Sequence, residues 1–407
     1  MISVEEATRL ILQRASDFGE EEVPLDRANG RVLCEDLMAD RDFPPFTRVT
    51  MDGIAIKYEA YERGQRKFPI LGVQPAGAPQ QSLSQPEACL EVMTGAILPA
   101  HADTVIRYED IEINDGLAII TTEKVKHRQN AHPRGEDRRK GDIIVEKGGI
   151  ISPAEIGVAA TVGKSRIRVA KLPEALIVYT GDELVEVEEI PKAHQIRSSN
   201  AHSIMSTLSE WGIRADRAHL IDDKPSIRKT LSKALKDYSL LVISGGVSKG
   251  KFDFLPEVLA ELGVEKAFHK VKQRPGKPLW FGHHPSSGCV VFALPGNPVS
   301  SYMCTYRYVI PWLRKSLGLT PFLLPTAILR EPFEFGPELT YFLQVKVRIN
   351  PREARLEAKA VAGKGSGDLA NLADADGFLE LPPDKSVFSA EEVYPLYFYR
   401  KSIESHV

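Results

Sequence analysis

The sequence predicts an α/β fold joined to β-rich parts: a doubly wound, mostly parallel ligand-binding sheet in the middle of the chain and a small β domain after it. Three observations predict this. From Glu174 to about Leu319, apolar strand-like runs alternate with amphipathic helical segments, the rhythm of βαβ units. Three of those runs, 175–179, 240–243 and 289–293, lead into loops that contain glycine. After Thr320 the rhythm stops, and residues 341–349, 355–361 and 378–381 read as strands around a glycine cluster at 363–367.

The elements before residue 174 follow other patterns. Ser3 and Glu6 form a capping box for a first helix whose Val4, Ala7, Leu10 and Ile11 make one packing face. Two prolines in 43–46 fix an extended entry to Asp52-Gly53, a turn that precedes the strand 54–56. Short β-rich runs follow, at 89–93, 104–108 and 118–121, with Thr94-Gly95-Ala96 as a tight turn. Residues 130–142 pack both charge signs into a glycine-punctuated loop, for which a solvated surface loop is the plain reading. Leu172-Pro173 marks a boundary. In the central part, one helix carries Ile204, Leu208 and Trp211, another Ile227, Leu231 and Leu235, and a third runs from Pro298 to about Leu317. Asn200 reads as the N-cap of the first of these.

Residues 240–253 most openly prepare to hold a ligand. Four apolar residues enter a turn with Gly245, Gly246 and Gly250, and Asp253 opens an amphipathic helix with Pro256 in its first turn and Gly263 at its end. Glycines there let main-chain N–H groups approach a phosphate, and the helix N-terminus adds partial positive charge. A tight turn with nothing bound fits the same residues. Lys251 nearly completes a Walker A pattern, but Phe252 stands where a hydroxyl must reach Mg²⁺, so a nucleotide triphosphatase is rejected. The loops at 180–183, 244–253 and 294–298 should converge at the carboxyl edge of the sheet, where such folds bind ligands. Residues 270–278 add four cations on a stretch stiffened by two prolines, suited to an oxyanion or to neutralising nearby acids.

Composition bounds the function. At about 150 residues per domain, 407 residues allow two to four domains, each with a core. With 26% charged and 43% hydrophobic residues and a net charge of -3, neither nucleic acid nor a membrane surface is an expected partner. No apolar run approaches the ~20 residues of a spanning helix. Cys34, Cys89, Cys289 and Cys304 lack metal-ligand spacing and fit free thiols in a reducing cytoplasm.

Taken together and in order, eight segments resemble the molybdopterin molybdenumtransferase family, to which the gephyrin E domain is related: 44–56, 93–96, 130–142, 180–184, 244–253, 274–282, 294–300 and 365–382. The resemblance implies an elongated multidomain subunit in a homodimer. Its parts would be an N-terminal elongated dimerisation domain (1–45 with 141–172), an inserted β-rich domain (46–140), the α/β molybdopterin-binding domain (173–319) and a C-terminal β domain (320–407). It implies molybdate and adenylylated molybdopterin as substrates, Mg²⁺ as cofactor, release of AMP, and the upstream adenylyltransferase as a candidate partner.

Carried over by motif, the catalytic candidates are Asp52, Asp137, Glu183, Asp253 and Lys277, and the metal candidates are Glu183, Asp222 and Asp253. Substrate-binding candidates are Thr94, Gly245, Gly246, Ser248, Gly250, Arg274, Pro295, Gly296, Asn297 and Pro298. Carboxylates suit Mg²⁺ and would repel molybdate, so Lys277, Arg274 and main-chain N–H groups are the expected receivers of the oxyanion. The chain departs from the family pattern at His132, Ser198 and Ile54, which bears on nucleotide and pterin affinity. Two other readings stand beside the transferase: a scaffold that binds a protein partner on the same fold, and a phosphoanhydride hydrolase sharing only the α/β domain.

Overall fold

The computed structural model describes residues 1–221, 223–247, 254–322, 324–363 and 365–400. Its centre is a six-stranded sheet in which Ala175–Thr180 lies between Asp216–Leu220 and Leu240–Ser244, and Leu240–Ser244 pairs onward with Val290–Leu294, all parallel. Trp280–His283 and Glu265–His269 complete one edge in antiparallel register. Every residue of Ala175–Thr180, Leu240–Ser244 and Val290–Leu294 is buried, as expected of strands covered on both faces. The two-residue alternation sends Ile177, Val242 and Phe292 to one core, with Ile204 and Leu208 of helix Ser199–Ser209. Leu176, Leu241 and Val291 go to the other, with Leu231 of Lys224–Asp237 and Val258 of Leu255–Glu261. The expected α/β layer is present.

Around it lie β structures. Glu20–Pro24 pairs with Arg166–Ala170 and Leu37–Met38 with Ile143–Val145, so the chain leaves and returns across a six-stranded sheet built from residues 53–120. A last sheet carries Thr340–Asn350, Arg355–Ala360, Thr326–Leu329, Val393–Phe398 and Gly377–Leu381, packed on Val345, Leu379, Phe388 and Leu396. The two-residue strand Gln273–Arg274 joins that sheet beside Thr340 and Tyr341, tying the basic loop of the α/β layer to the C-terminal part. Among the described residues no helix is long and apolar enough to cross a membrane.

Three local expectations are corrected. Ser3 does cap helix Val4–Leu12, accepting from the Glu6 N–H at 3.1 Å, but the Glu6 carboxylate turns to Arg9 at 2.6 Å instead of completing the box. The reciprocal box forms at Ser152 and Glu155, at the start of Pro153–Thr161. The helix expected from Pro298 is interrupted: Pro298–Cys304 and Ile310–Ser316 flank a π-helical turn, Thr305–Val309. Pro311 follows it and cannot donate back to the preceding turn, which favours the wider helix there. Helix Leu255–Glu261 has Phe254, with no side-chain bond, at its N-cap; Asp253 is not the residue at that position and lies outside the described residues.

Candidate active site

Two adjoining clefts open at the carboxyl edge of the central sheet. The first, ≈ 390 Å³, is lined by Thr180, Gly181, Glu183, Asn200, Gly245, Gly246, Pro295, Gly296, Asn297 and Pro298, among others. Close packing around the Cα explains two of its glycines. A Cβ on Gly245, whose φ is +101°, would lie 2.7 Å from the Thr180 hydroxyl oxygen, and one on Gly181 2.6 Å from the Glu183 carboxylate. The Gly245 N–H donates to the Leu294 carbonyl at 3.1 Å, so it is committed to the sheet and not offered to a ligand. Gly246 remains the expected donor of that pair.

Asn200 does not cap its helix. The N-cap of Ser199–Ser209 is Ser198, and the Asn200 amide instead donates to Ser244 Oγ at 2.9 Å and to the Gly296 carbonyl at 2.7 Å. One position inside the helix, its side chain points across the strand ends and ties two loops of the cleft. Sequence reasoning missed this role; the signal available was a polar side chain on the first turn of a helix that follows a ligand-edge strand.

The segment bearing Glu183 is held from behind. His219 stacks on Tyr179 with ring centroids 4.9 Å apart and donates through Nε2 to the Gly181 carbonyl at 3.0 Å. The Tyr179 hydroxyl donates to Glu186 at 2.6 Å, and Arg217 approaches the same carboxylate at 3.0 Å. Burial first, and then the Glu186 carboxylate, push the Tyr179 phenol up to about 12, while the phenol's hydrogen bond holds Glu186 below the usual carboxylate range.

The second cleft, ≈ 600 Å³, shares Pro278, Pro295 and Asn297 with the first and adds Arg274, Lys277, Ser300, Gln344 and Ser366. Among the described residues neither Arg274 nor Lys277 is held in an ion pair with a described acid. Asn297 donates to Ser366 Oγ at 2.7 Å and the Val299 N–H to the Ser366 carbonyl at 3.1 Å, closing the cleft against the C-terminal part. The Gln344 amide nitrogen, buried and without a hydrogen-bond partner among the described residues, is a donor that sequence reasoning missed. Gln344 sits between buried Leu343 and Val345 on a strand, and nothing in the local pattern marks it.

A separate group lies in the N-terminal half. The Thr94 N–H donates to Asp52 Oδ1 at 2.6 Å, and that bond, followed by one from the Thr94 side chain, holds the Asp52 carboxyl below its usual range. His132 Nε2 and Asp137 Oδ1 are 2.9 Å apart, and the strand Ala131–His132 pairs with Arg48–Val49, just before Asp52. The structure therefore gathers Asp52 and Thr94, with Asp137 on the neighbouring loop. Among the described residues no hydrogen bond or ion pair joins this group to either cleft. Asp222, Ser248, Gly250 and Asp253 lie outside the described residues, and among those described no group of three His, Cys, Asp or Glu side chains could hold a metal.

Comparison with known proteins gives matches along the chain. Residues 2–163 match the MoeA N-terminal region (domain I and II), 176–315 a probable molybdopterin binding domain, and 326–396 the MoeA C-terminal region (domain IV). The chain is 42% identical to the molybdopterin molybdenumtransferase of Synechocystis sp., over 98% of this chain and 100% of the relative. It is 30% identical to that of Bacillus subtilis, over 94% and 90%. Among solved structures it is similar to the molybdopterin biosynthesis moeA protein of Pyrococcus horikosii, with a TM-score of 0.83 and 28% identity, over 98% of this chain and 100% of that one.

Proposed function

The chain belongs to the molybdopterin molybdenumtransferase family, transferases of molybdenum cofactor biosynthesis, and from that premise we propose that it inserts molybdenum from molybdate into adenylylated molybdopterin with Mg²⁺-dependent release of AMP. The observation that carries this reading is the pair of adjoining clefts with a common wall at Pro278, Pro295 and Asn297. The glycine-lined cleft suits the phosphates of the adenylylated pterin, and the cleft lined by Arg274 and Lys277 suits the oxyanion. A shared wall lets the dithiolene and molybdate meet while the nucleotide stays seated.

In this reading Gly246 and Asn297 orient the pterin nucleotide, Lys277 and Arg274 hold molybdate with the Gln344 amide as a neutral donor, and Ser366 closes the wall. Glu183 supplies one hard oxygen at the mouth of the first cleft. That fits Mg²⁺, which is commonly held by one or two carboxylates with substrate phosphates and waters, while Asp222 and Asp253 remain candidates by motif alone. Bound there, the ion would offset phosphate charge and polarise the phosphoanhydride. Attack of water on that anhydride releases AMP and leaves the other phosphate on the pterin, which keeps the molybdenum. Positioning and charge carry such a step, and no covalent enzyme intermediate is required.

Asp52, Thr94 and Asp137 enter through a second copy of the chain. The helix Pro153–Thr161 has only Ala159 buried, although most of its residues are apolar. Met38 and Ile143, paired in register, are also about half exposed. A homodimer would cover that face and bring the Asp52 loop to the partner's cleft. The division into 1–45 with 141–172, 46–140, 173–319 and 320–407 belongs to the same proposal, as do a cytoplasmic location and delivery of the substrate by the upstream adenylyltransferase.

The test is to mix the purified protein with adenylylated molybdopterin, Mg²⁺ and molybdate and to follow AMP. Release that needs both ions and yields active cofactor supports the proposal. Release without molybdate uptake would favour a hydrolase, and binding without release a scaffold.

A further inference from the structure

Gln273 stands within the basic loop 270–278, immediately before Arg274, and is fully buried. Its amide is committed at both ends: Oε1 accepts from the Tyr308 hydroxyl, and Nε2 donates to the Gly276 carbonyl at 3.1 Å. A buried primary amide is costly unless its polar atoms are bonded, so the pairings fix the orientation of Gln273. Burial raises the Tyr308 phenol far above its ordinary range, which keeps it a donor.

The bonded Gly276 is the turn between Arg274 and Lys277. Its φ is +87°, and a Cβ there would lie 2.7 Å from Cys304 Sγ, 2.7 Å from Gln273 Nε2 and 2.9 Å from Met303 Cε. The loop is thus pressed onto helix Pro298–Cys304 with no room for a side chain. Two further bonds close it: the Val271 N–H to the Lys277 carbonyl at 3.0 Å, and the Leu279 N–H to the Gly276 carbonyl at 3.2 Å. Tyr308 itself lies in the π-helical turn Thr305–Val309. Such turns shift the direction of the side chains that follow, and here one aims a hydroxyl at the back of the loop.

We propose that Gln273, set by Tyr308, is a positioning residue for molybdate: it anchors Gly276 so that Arg274 and Lys277 face the second cleft at a fixed separation. This rests on the reading of those two cations as the oxyanion's receivers. A merely structural Gln273 would affect the fold and not the anion; a positioning residue separates the two effects.

Four variants test this: Gln273→Leu, Tyr308→Phe, the two combined, and Lys277→Ala. Each is assayed for melting temperature, for calorimetric binding of sodium molybdate by the full-length protein, and for the molybdate concentration giving half-maximal turnover. Gln273→Leu should melt early, because the Tyr308 hydroxyl loses its acceptor, and bind molybdate about tenfold more weakly, with little change in kcat at saturation. In the combined variant no polar partner is orphaned, so melting should recover while molybdate affinity does not. If Gln273→Leu does not fold, the combined variant and Tyr308→Phe, which loses one oxygen, carry the same comparison. Affinity that returns together with melting, or never changes while Lys277→Ala weakens binding, overturns the positioning role alone. Unchanged binding in Lys277→Ala overturns the receiver reading, and this proposal with it.

Discussion

The Asn200 side chain reaches the Gly296 carbonyl at 2.7 Å, so a residue on the first turn of one helix fixes the loop that opens another. Because the same amide also donates to Ser244, three segments at the sheet edge share one side chain. Asn200→Ala should remove both bonds at a stability cost of about 1–3 kcal/mol, the usual range for hydrogen bonds lost at a partly buried site. The larger loss should fall on substrate: KM for the adenylylated pterin rises about tenfold, while molybdate dependence is unchanged. Asn200→Asp, which keeps shape but loses the donor, should behave alike. Parent-like KM in both variants would leave Asn200 as a packing residue.

Much of this edge was legible in the sequence. Apolar runs alternating with amphipathic helices marked 175–179, 240–243 and 289–293 as strands of a mostly parallel sheet, close to the observed 175–180, 240–244 and 290–294, and glycines at their ends marked the loops, because neighbours that approach so closely exclude a Cβ. What stayed hidden depends on tertiary neighbours. Asn200 looks like a cap because caps are the commonest local use of asparagine, and only the fold sets Gly296 opposite it. Arg9, one turn away, captures Glu6, which a Ser/Glu spacing alone does not reveal. Gln273 reads as one polar residue of a basic loop and Gln344 as an ordinary strand polar residue, since their meaning comes from a helix turn and a cleft wall far away in sequence.

The depressed Asp52 carboxyl makes a pH prediction. A group whose folded pKa lies below its unfolded value, ordinarily near about 3.9, contributes stability that is fully present above the unfolded value. That contribution is lost as pH falls through the folded value. Asp52→Asn keeps an oxygen for the Thr94 N–H but removes the charge, so parent and variant should differ in melting temperature near neutral pH and converge as the medium is acidified below about 4. The check is a melting series across that range, with the carboxyl of Asp52 followed by NMR titration. A difference that grows on acidification would contradict the bond's role.

Assembly is tested by complementation. Asp52 lies with Thr94 in the N-terminal half, whereas Glu183 borders the first cleft. If one copy supplies Asp52 and the other Glu183, an Asp52→Asn chain and a Glu183→Gln chain, each nearly inactive alone, should regain activity when unfolded and refolded together. Mixed dimers would make up about half the population and carry one intact site each, so about a quarter of parental activity is expected. No gain above the separate chains would require both residues to act within one subunit, or not at all.

Gly181 and Glu183 should behave as one functional unit. The Glu183 carboxylate oxygens lie 2.6 and 2.7 Å from where a Gly181 Cβ would sit, and Gly181 has a φ of +139°. Gly181→Ala must therefore displace that carboxylate or shift the loop anchored by His219. If Glu183 supplies the hard oxygen for Mg²⁺, then Gly181→Ala and Glu183→Gln should each raise the Mg²⁺ concentration for half-maximal AMP release by about tenfold or more. The double variant should be little worse than either, because the second change removes what the first has already displaced. Independent effects that multiply would mean that Gly181 matters for the loop alone, and a Mg²⁺ dependence that stays parental in Glu183→Gln would move the metal to other ligands.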